Sequence, residues 1–262
     1  MTSCVGKILE KLAADRLIYI LESRNILNDN QAGFRPNRCT TDQVLKLVQH
    51  ATDQIHSSKA NPRTMTTFFD YEKASDKVWR DGLLLKMIKL NIPEKLVKYV
   101  RHFLSGRKTR VEFNGTRSKA FRLDQGLPQG SCISPLLFLI FINDIDVNFH
   151  PDTIASLFAD NTATWMVDGK IKGSNRTLMQ EEIDKILAWA SKRKMSVNKG
   201  KTKSMIISSS NKDTKWDPQF QAGDTRIKAV NDYPFLGVKV DSELRFNQHV
   251  SKIETKCKKE SI

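Results

Sequence analysis

Cysteine is sparse. The 262-residue chain has four, at Cys4, Cys39, Cys132 and Cys257, with no CxxC pair and no zinc-like spacing to its five histidines. That excludes a disulfide framework and points to reduced thiols in an intracellular protein, nuclear or cytoplasmic and not secreted. Long apolar runs are missing too. The longest, residues 136–142, falls well short of the roughly 18 residues of a membrane span. Lys7, Glu10 and Lys11 interrupt the N-terminus, so it does not read as a secretory signal. There is no internal repeat and no low-complexity linker. Acid is in deficit: 29 Asp+Glu face 43 Lys+Arg, a formal charge of +14. Such an excess fits a polyanionic partner, most simply nucleic acid. Basic residues gather at 192–203 and in the C-terminal tail, but few aromatics lie near them, so no base-stacking platform shows there.

What is present alternates irregularly between helical and strand patterns. Ile8, Leu9, Leu12, Leu17 and Leu21 predict a helix over residues 5–24, beginning almost at Met1. Residues 33–38, with Pro36, read as a loop or short ribbon. Thr40 or Thr41 suits the cap of a helix reaching about residue 57, and Asn61-Pro62-Arg63 breaks the chain. Residues 64–70 read as a strand ending in an acid. Short helices follow Asp81-Gly82 and Pro93. Asn114-Gly115 centres a hairpin over 108–123. A helix over 134–145 is apolar nearly all round and should be buried. Residues 154–167 read as a second hairpin with Asp160-Asn161 at or near its tip. A helix over 178–194, strands at 203–208 and 235–240, and a basic tail complete the chain. Several hairpins and no regular βαβ order give an α+β fold with a mainly antiparallel sheet.

Two acids stand out by position. Asp70 ends a strand and Asp160 sits at a hairpin tip; neighbouring strands of one sheet would bring them together. Paired carboxylates at a sheet edge are what hard divalent cations need. Two such ions, about 3.5–4 Å apart, clamp attacking and leaving oxygens in phosphoryl transfer. Asp and Asn are also ordinary turn formers, and spacing alone leaves both readings open.

Larger patterns surround these acids. Phe68-Phe69-Asp70-Tyr71-Glu72-Lys73-Ala74-Ser75-Asp76-Lys77-Val78 resembles the first catalytic motif of non-LTR (LINE-type) retrotransposon reverse transcriptases, typically F-L-D-F/L-S-K-A-F-D-K-V. Leu127-Pro128-Gln129-Gly130-Ser131, with Ser134-Pro135-Leu136-Leu137-Phe138, is similar to the family's LPQG-S…SPxLF. Phe158-Ala159-Asp160-Asn161 resembles its F/Y-A-D-D box. Gln31-Ala32-Gly33-Phe34-Arg35 with Thr40-Thr41-Asp42 resembles the fingers motif Q-x-G-F-R…TTD. Asn198-Lys199-Gly200-Lys201-Thr202 resembles N-P-x-K-T, and residues 233–237 resemble the Y-x-Y-L-G primer grip. The six occur in family order across nearly the whole chain, with jockey-like elements the nearest in look.

The resemblance implies a polymerase fingers–palm fold whose antiparallel palm sheet is flanked by helices. It implies partial fingers over 1–63 and a palm over 64–232 carrying fingers-side helices at 81–105 and the hairpin at 108–123. A primer grip and thumb start follow at 233–262. It implies DNA synthesis on an RNA template from a DNA primer and deoxynucleoside triphosphates, with no membrane. Asp70 and Asp160 would hold Mg²⁺ (or Mn²⁺), with a backbone carbonyl of Phe69 or Tyr71 as a further ligand. Arg35 or Arg38 would grip the triphosphate. Tyr71, Ser75, Gln129 and Gly130 would line the nucleotide pocket. Lys201 would sit near the pyrophosphate as a general acid, and Phe235, Leu236 and Gly237 would support the primer end. Plain readings stand beside these: a solvated loop arginine, a helix-entry turn, one lysine in a basic run, a core strand with a glycine.

Three departures qualify the resemblance. Asn161 replaces the second acid of the A-D-D box, removing a negative charge from the metal site and predicting impaired catalysis. Ser75 replaces the phenylalanine that excludes a 2′-hydroxyl, predicting poor rejection of ribonucleotides. The chain also reads as truncated, lacking a preceding endonuclease domain and a full thumb. A catalytically dead nucleic-acid-binding remnant is therefore the alternative, and a remnant that does not fold stably is a third. An RNA-dependent RNA polymerase shares the palm, but the Q-x-G-F-R and LPQG pair argues against it.

Overall fold

A computed structural model describes residues 4–57, 62–168 and 175–260. The expected helix start at Met1, the break at Asn61 and the end of the tail at Ser261-Ile262 lie outside these residues. In chain order the elements are α1 (Cys4–Ser23), α2 (Thr40–Ser57), β1 (Arg63–Phe69), a 3₁₀ turn (Ala74–Lys77), α3 (Arg80–Lys89), α4 (Glu94–Leu104), β2 (Lys108–Thr109), β3 (Glu112–Phe113), β4 (Thr116–Arg117), β5 (Phe121–Arg122) and α5 (Ser134–Ile142). Then come β6 (Ile154–Phe158), β7 (Asn161–Asp168), α6 (Arg176–Lys192), β8 (Lys203–Ile207), α7 (Asn211–Thr214), β9 (Gln221–Ala222), β10 (Thr225–Arg226), β11 (Lys228–Ala229), β12 (Asp232–Phe235), β13 (Val238–Asp241) and α8 (Asn247–Glu260). No helix among the described residues is long and apolar enough to cross a membrane.

The chain forms two compact units, each discontinuous in sequence. The first comprises Met1–Asp29, Glu72–Ile145 and Ala190–Ser196. Its centre is α5, whose residues from Ser134 through Ile142 are buried apart from the Pro135 position, as its all-round apolarity predicts. Helices α1 and α3 pack on it. Amphipathic α4 buries Leu96, Val97, Val100 and Leu104. Pro93 is the cap residue before α4 rather than part of its first turn.

The second unit comprises Asn30–Tyr71, Asp146–Trp189 and Val197–Ile262. It holds a five-stranded sheet in the order β11-β8-β1-β7-β6. All pairings are antiparallel except β11 with β8. Strand β1 is central and buried at every position, its three threonines and Arg63 included, and its residues are largely the β-branched and aromatic types that suit a strand. On one face Phe68, Ala163, Trp165, Met205 and Ile207 pack with Val44, Leu47 and Ala51 of α2 and with Phe235 and Val240. The ring of Phe68 stacks on Tyr233 at 4.2 Å and meets Phe235 at 5.3 Å.

One local expectation needs correction. Residues 235–240 are not one strand: β12 and β13 pair as a hairpin through Leu236 (φ 49) and Gly237 (φ 91). The strand-like residues on either side of Gly237 concealed this turn, because leucine gives no sign of a left-handed conformation. The 154–167 hairpin forms as expected, with Asp160 in the turn beside Ala159 (φ 52) and Asn161 next to it as the first residue of β7.

Candidate active site

Register brings the two acids to one end of the sheet. The β1–β7 ladder ends with Phe69 opposite Thr162, leaving Asp70 and Asn161 as the next residues out on the two strands. Asp160 lies one residue further, in the turn. Partial burial pushes the Asp160 carboxyl above its ordinary range; a hydrogen bond from its own backbone acts against this, and the negative charge of Asp70 adds to it. The Asn161 residue is exposed. Among the described residues no group of three or more His, Cys, Asp or Glu comes together.

Other predicted residues join the acids in the same unit. The carbonyl of Asp70 accepts the Asn198 N–H at 2.7 Å. That bond brings in the 198–202 turn, where Lys201 Nζ lies 3.8 Å from Asp70 Oδ2. Tyr71 is buried and bridges Val197. Burial raises its hydroxyl pKa, and the Asp160 charge contributes. Tyr233 is raised by burial and by Asp70, so the β12–β13 hairpin borders the acids. Phe235 is core rather than surface, whereas Leu236 and Gly237 form the turn. Arg35 donates to the Gln31 carbonyl at 3.2 Å. Arg38 is exposed and helps lower the pKa of Lys46, after burial and against the charge of Asp146.

The turn itself is clamped from residues 30–33, a role the sequence did not disclose. Leu157 N–H donates to the Asn30 carbonyl at 3.0 Å and Ala32 N–H to the Leu157 carbonyl at 2.8 Å. Buried Gln31 then offers Oε1 to Gly33 N–H at 2.7 Å and to Ala159 N–H at 3.0 Å. A Cβ on Gly33 would lie 2.3 Å from the Ala159 nitrogen, so only glycine fits here. Lys46 holds the same edge by donating to Asn30 Oδ1 at 2.7 Å and the Ala155 carbonyl at 2.9 Å.

Ser75, Gln129 and Gly130 gather in the first unit. Leu127 N–H donates to the Ser75 carbonyl and Gly126 N–H to the Val78 carbonyl, each at 2.9 Å. Gln129 Nε2 donates to Asp76 Oδ1 at 3.0 Å. Gly130 sits at φ 77 with open space where a Cβ would be. Of these two loop glycines it is Gly126 that makes a close approach: a Cβ there would meet the Asp76 carbonyl oxygen at 2.4 Å. Arg80, also unforeseen, ties this loop down by donating to the carbonyls of Gly126, Leu104, Leu123 and Gln125.

Solved structures of telomerase share this architecture. Apo telomerase from Candida tropicalis, truncated from its C-terminal domain, matches with a TM-score of 0.62 at 12% identity, over 91% of this chain and 44% of that one. Telomerase from Candida albicans, in complex with a TWJ fragment of telomeric RNA, matches with a TM-score of 0.62 over 90% of this chain and 38% of its own. The fold is a polymerase fingers–palm. Residues 1–240 match the reverse transcriptase (RNA-dependent DNA polymerase) family, and the chain belongs to it. Its relatives include the RNA-directed DNA polymerases from mobile element jockey of Drosophila funebris, 28% identical over 256 residues, and of Drosophila melanogaster, 27% identical over 256. The alignment covers 95% of this chain and 27% of each relative, so the chain spans about a quarter of their length.

Proposed function

We propose that the chain carries the polymerase centre of a non-LTR retrotransposon reverse transcriptase, extending a DNA primer on an RNA template with deoxynucleoside triphosphates. The observation that carries this reading is the placing of Asp70 and Asp160 at one end of the sheet with Lys201 beside them. The donor set fits a hard divalent cation, Mg²⁺ or Mn²⁺. The charge of Asp70 already raises the proton affinity of Asp160, and a dication bound by both, with a backbone carbonyl of Phe69 or Tyr71, relieves that repulsion. When bound, such ions lower the pKa of the primer 3′-hydroxyl and neutralise charge on the pyrophosphate. The protein's own residues supply the rest. Lys201 donates a proton to the leaving pyrophosphate. Arg35, or Arg38 in its place, grips the triphosphate. Tyr71, the residue after Asp70, takes part in nucleotide binding; Ser75, Gln129 and Gly130 carry the same role in the first unit, where Ser75 leaves room for a 2′-hydroxyl. Leu236 and Gly237, at the β12–β13 turn, support the primer end, with buried Phe235 packed behind them.

Asn161 contributes a neutral oxygen where a second carboxylate would strengthen the site, so catalysis is slow. Primer extension on an RNA template with Mg²⁺ tests both statements. Asn161→Asp should extend at least about tenfold faster than the parent, a gain of about 1.4 kcal/mol in barrier, and Asp70→Asn should abolish extension in both backgrounds. Extension that survives Asp70→Asn overturns the assignment; equal rates for the parent and Asn161→Asp overturn the impairment. The site's two-acid composition also supports a second reading, binding of RNA–DNA hybrid without synthesis. Salt-sensitive hybrid binding with no Mg²⁺-dependent product from either form would favour it.

A further inference from the structure

Residues 107–124 form an antiparallel ribbon exposed to solvent along nearly its whole length. Strand β2 pairs with β5 and β3 with β4. Asn114 (φ 47) and Gly115 (φ 77) close it in the two-residue turn that their sequence predicts. Its register is pinned. Ser118 N–H donates to the Val111 carbonyl and the Ser118 hydroxyl accepts from Val111 N–H, both at 2.9 Å. Yet Val111, Phe113 and Phe121 are 63%, 74% and 54% exposed. A two-stranded ribbon without a core is marginal in water, and large apolar side chains left exposed on one mark a place of interaction.

Charge identifies the partner. Arg107, Lys108, Arg110, Arg117, Lys119 and Arg122 share the ribbon with only Glu112 and Asp124. Both acids are already taken, Glu112 by Arg117 at 2.9 Å and Asp124 by Arg122 at 2.6 Å. Lys108, Arg110 and Lys119 make no ion pair among the described residues. Exposed rings interleaved with uncompensated cations are the combination that holds single-stranded nucleic acid, whose bases stack and whose phosphates need neutralising. We propose that this ribbon is a binding site for single-stranded nucleic acid. Phe113 and Phe121 stack on unpaired bases, and Lys108, Arg110 and Lys119 hold the flanking phosphates. The proposal rests on the polymerase reading only for the kind of partner, and it adds a contact surface remote in sequence from both acids.

The test is fluorescence anisotropy with a labelled oligouridylate in EDTA, where cation binding at the carboxylates plays no part. Phe113→Ala/Phe121→Ala should weaken binding about tenfold or more with an unchanged salt slope. Lys108→Ala/Arg110→Ala/Lys119→Ala should flatten the slope of log K against log salt by about two. Leu85→Ser, an exposed change on α3, should leave binding unaltered, and thermal melts should show every variant folded, since the altered side chains are solvent-exposed. Parental affinity and slope in both ribbon variants overturn the proposal, as does tighter ribbon-dependent binding of polyglutamate than of RNA. Ribbon-dependent binding without primer extension refutes the polymerase reading alone; extension with ribbon-independent binding refutes this proposal alone.

Discussion

Replacing Gln31 with methionine keeps the length of the side chain and deletes its amide. In the parent, buried Oε1 accepts the backbone N–H groups of Gly33 and Ala159, and Ala159 holds the left-handed conformation immediately before Asp160. Each buried N–H left without an acceptor costs about 1–3 kcal/mol, hence about 2–6 kcal/mol for two. Gln31 Nε2 has no protein partner among the described residues. Methionine also removes that buried donor, which offsets part of the loss and puts the expected cost near 2–3 kcal/mol. Urea unfolding with a slope of about 1–3 kcal/mol/M should then show the midpoint falling by about 1 M or more. Amide hydrogen exchange gives the local readout, with protection lost first at Gly33 and Ala159. Gly33→Ala should destabilise as well, because the atom its Cβ meets is backbone rather than a flexible side-chain end. An unchanged midpoint together with full protection at Ala159 in Gln31→Met would refute the clamp.

Two further outcomes concern titration. The raised pKa of Asp160 means that cation affinity should fall with decreasing pH already above the usual carboxylate range; this group also favours the folded state more at low pH, where it is protonated. Calorimetric Mn²⁺ titrations of the parent across pH should show this, and carboxyl NMR titration without metal should find Asp160 protonating at lower pH in Asp70→Asn than in the parent; a midpoint that stays put refutes the coupling. Lys86 is buried against the Phe141 carbonyl and bonded to Asp144 at 2.5 Å, and burial outweighs that acid to bring its pKa to about 8. The unfolded chain therefore binds the extra proton between pH 8 and 10.5, so stability should rise with pH across that window, by at most about 3 kcal/mol. Denaturation of the parent and of Lys86→Met across the window checks it, and identical pH slopes would contradict it.

Much of the fold was legible because its signals are local. The helical spacing in α1, α2 and α4, the Asn114-Gly115 turn and the apolar α5 each declare themselves within a few residues. Asp70 and Asp160 were legible as chemistry once the surrounding motifs were read together, but their meeting depends on a ladder between residues some 90 positions apart in sequence, which spacing does not encode. The turn at Leu236 and the positive φ of Ala159 stayed hidden because neither residue type advertises a left-handed conformation. The clamp by Gln31 and Gly33 and the carbonyl-gathering Arg80 are long-range hydrogen bonds to backbone, invisible in side-chain pattern. The ribbon was foreseen as a hairpin, but its exposed rings were not, since period-2 apolarity normally implies a buried face.

The strand order β11-β8-β1-β7-β6 has a consequence for birth at the ribosome. The strand made first is the one placed in the middle. While β1 emerges with its sequence RTMTTFF, neither neighbour exists; one edge waits for β7, ending at Asp168, and the other for β8, ending at Ile207. Until then a β-prone strand with two open edges is a template for pairing with other chains. A message cut or stalled before the codon for Ile207 should therefore yield nascent chains that need chaperones and otherwise precipitate, long before any question of catalysis arises.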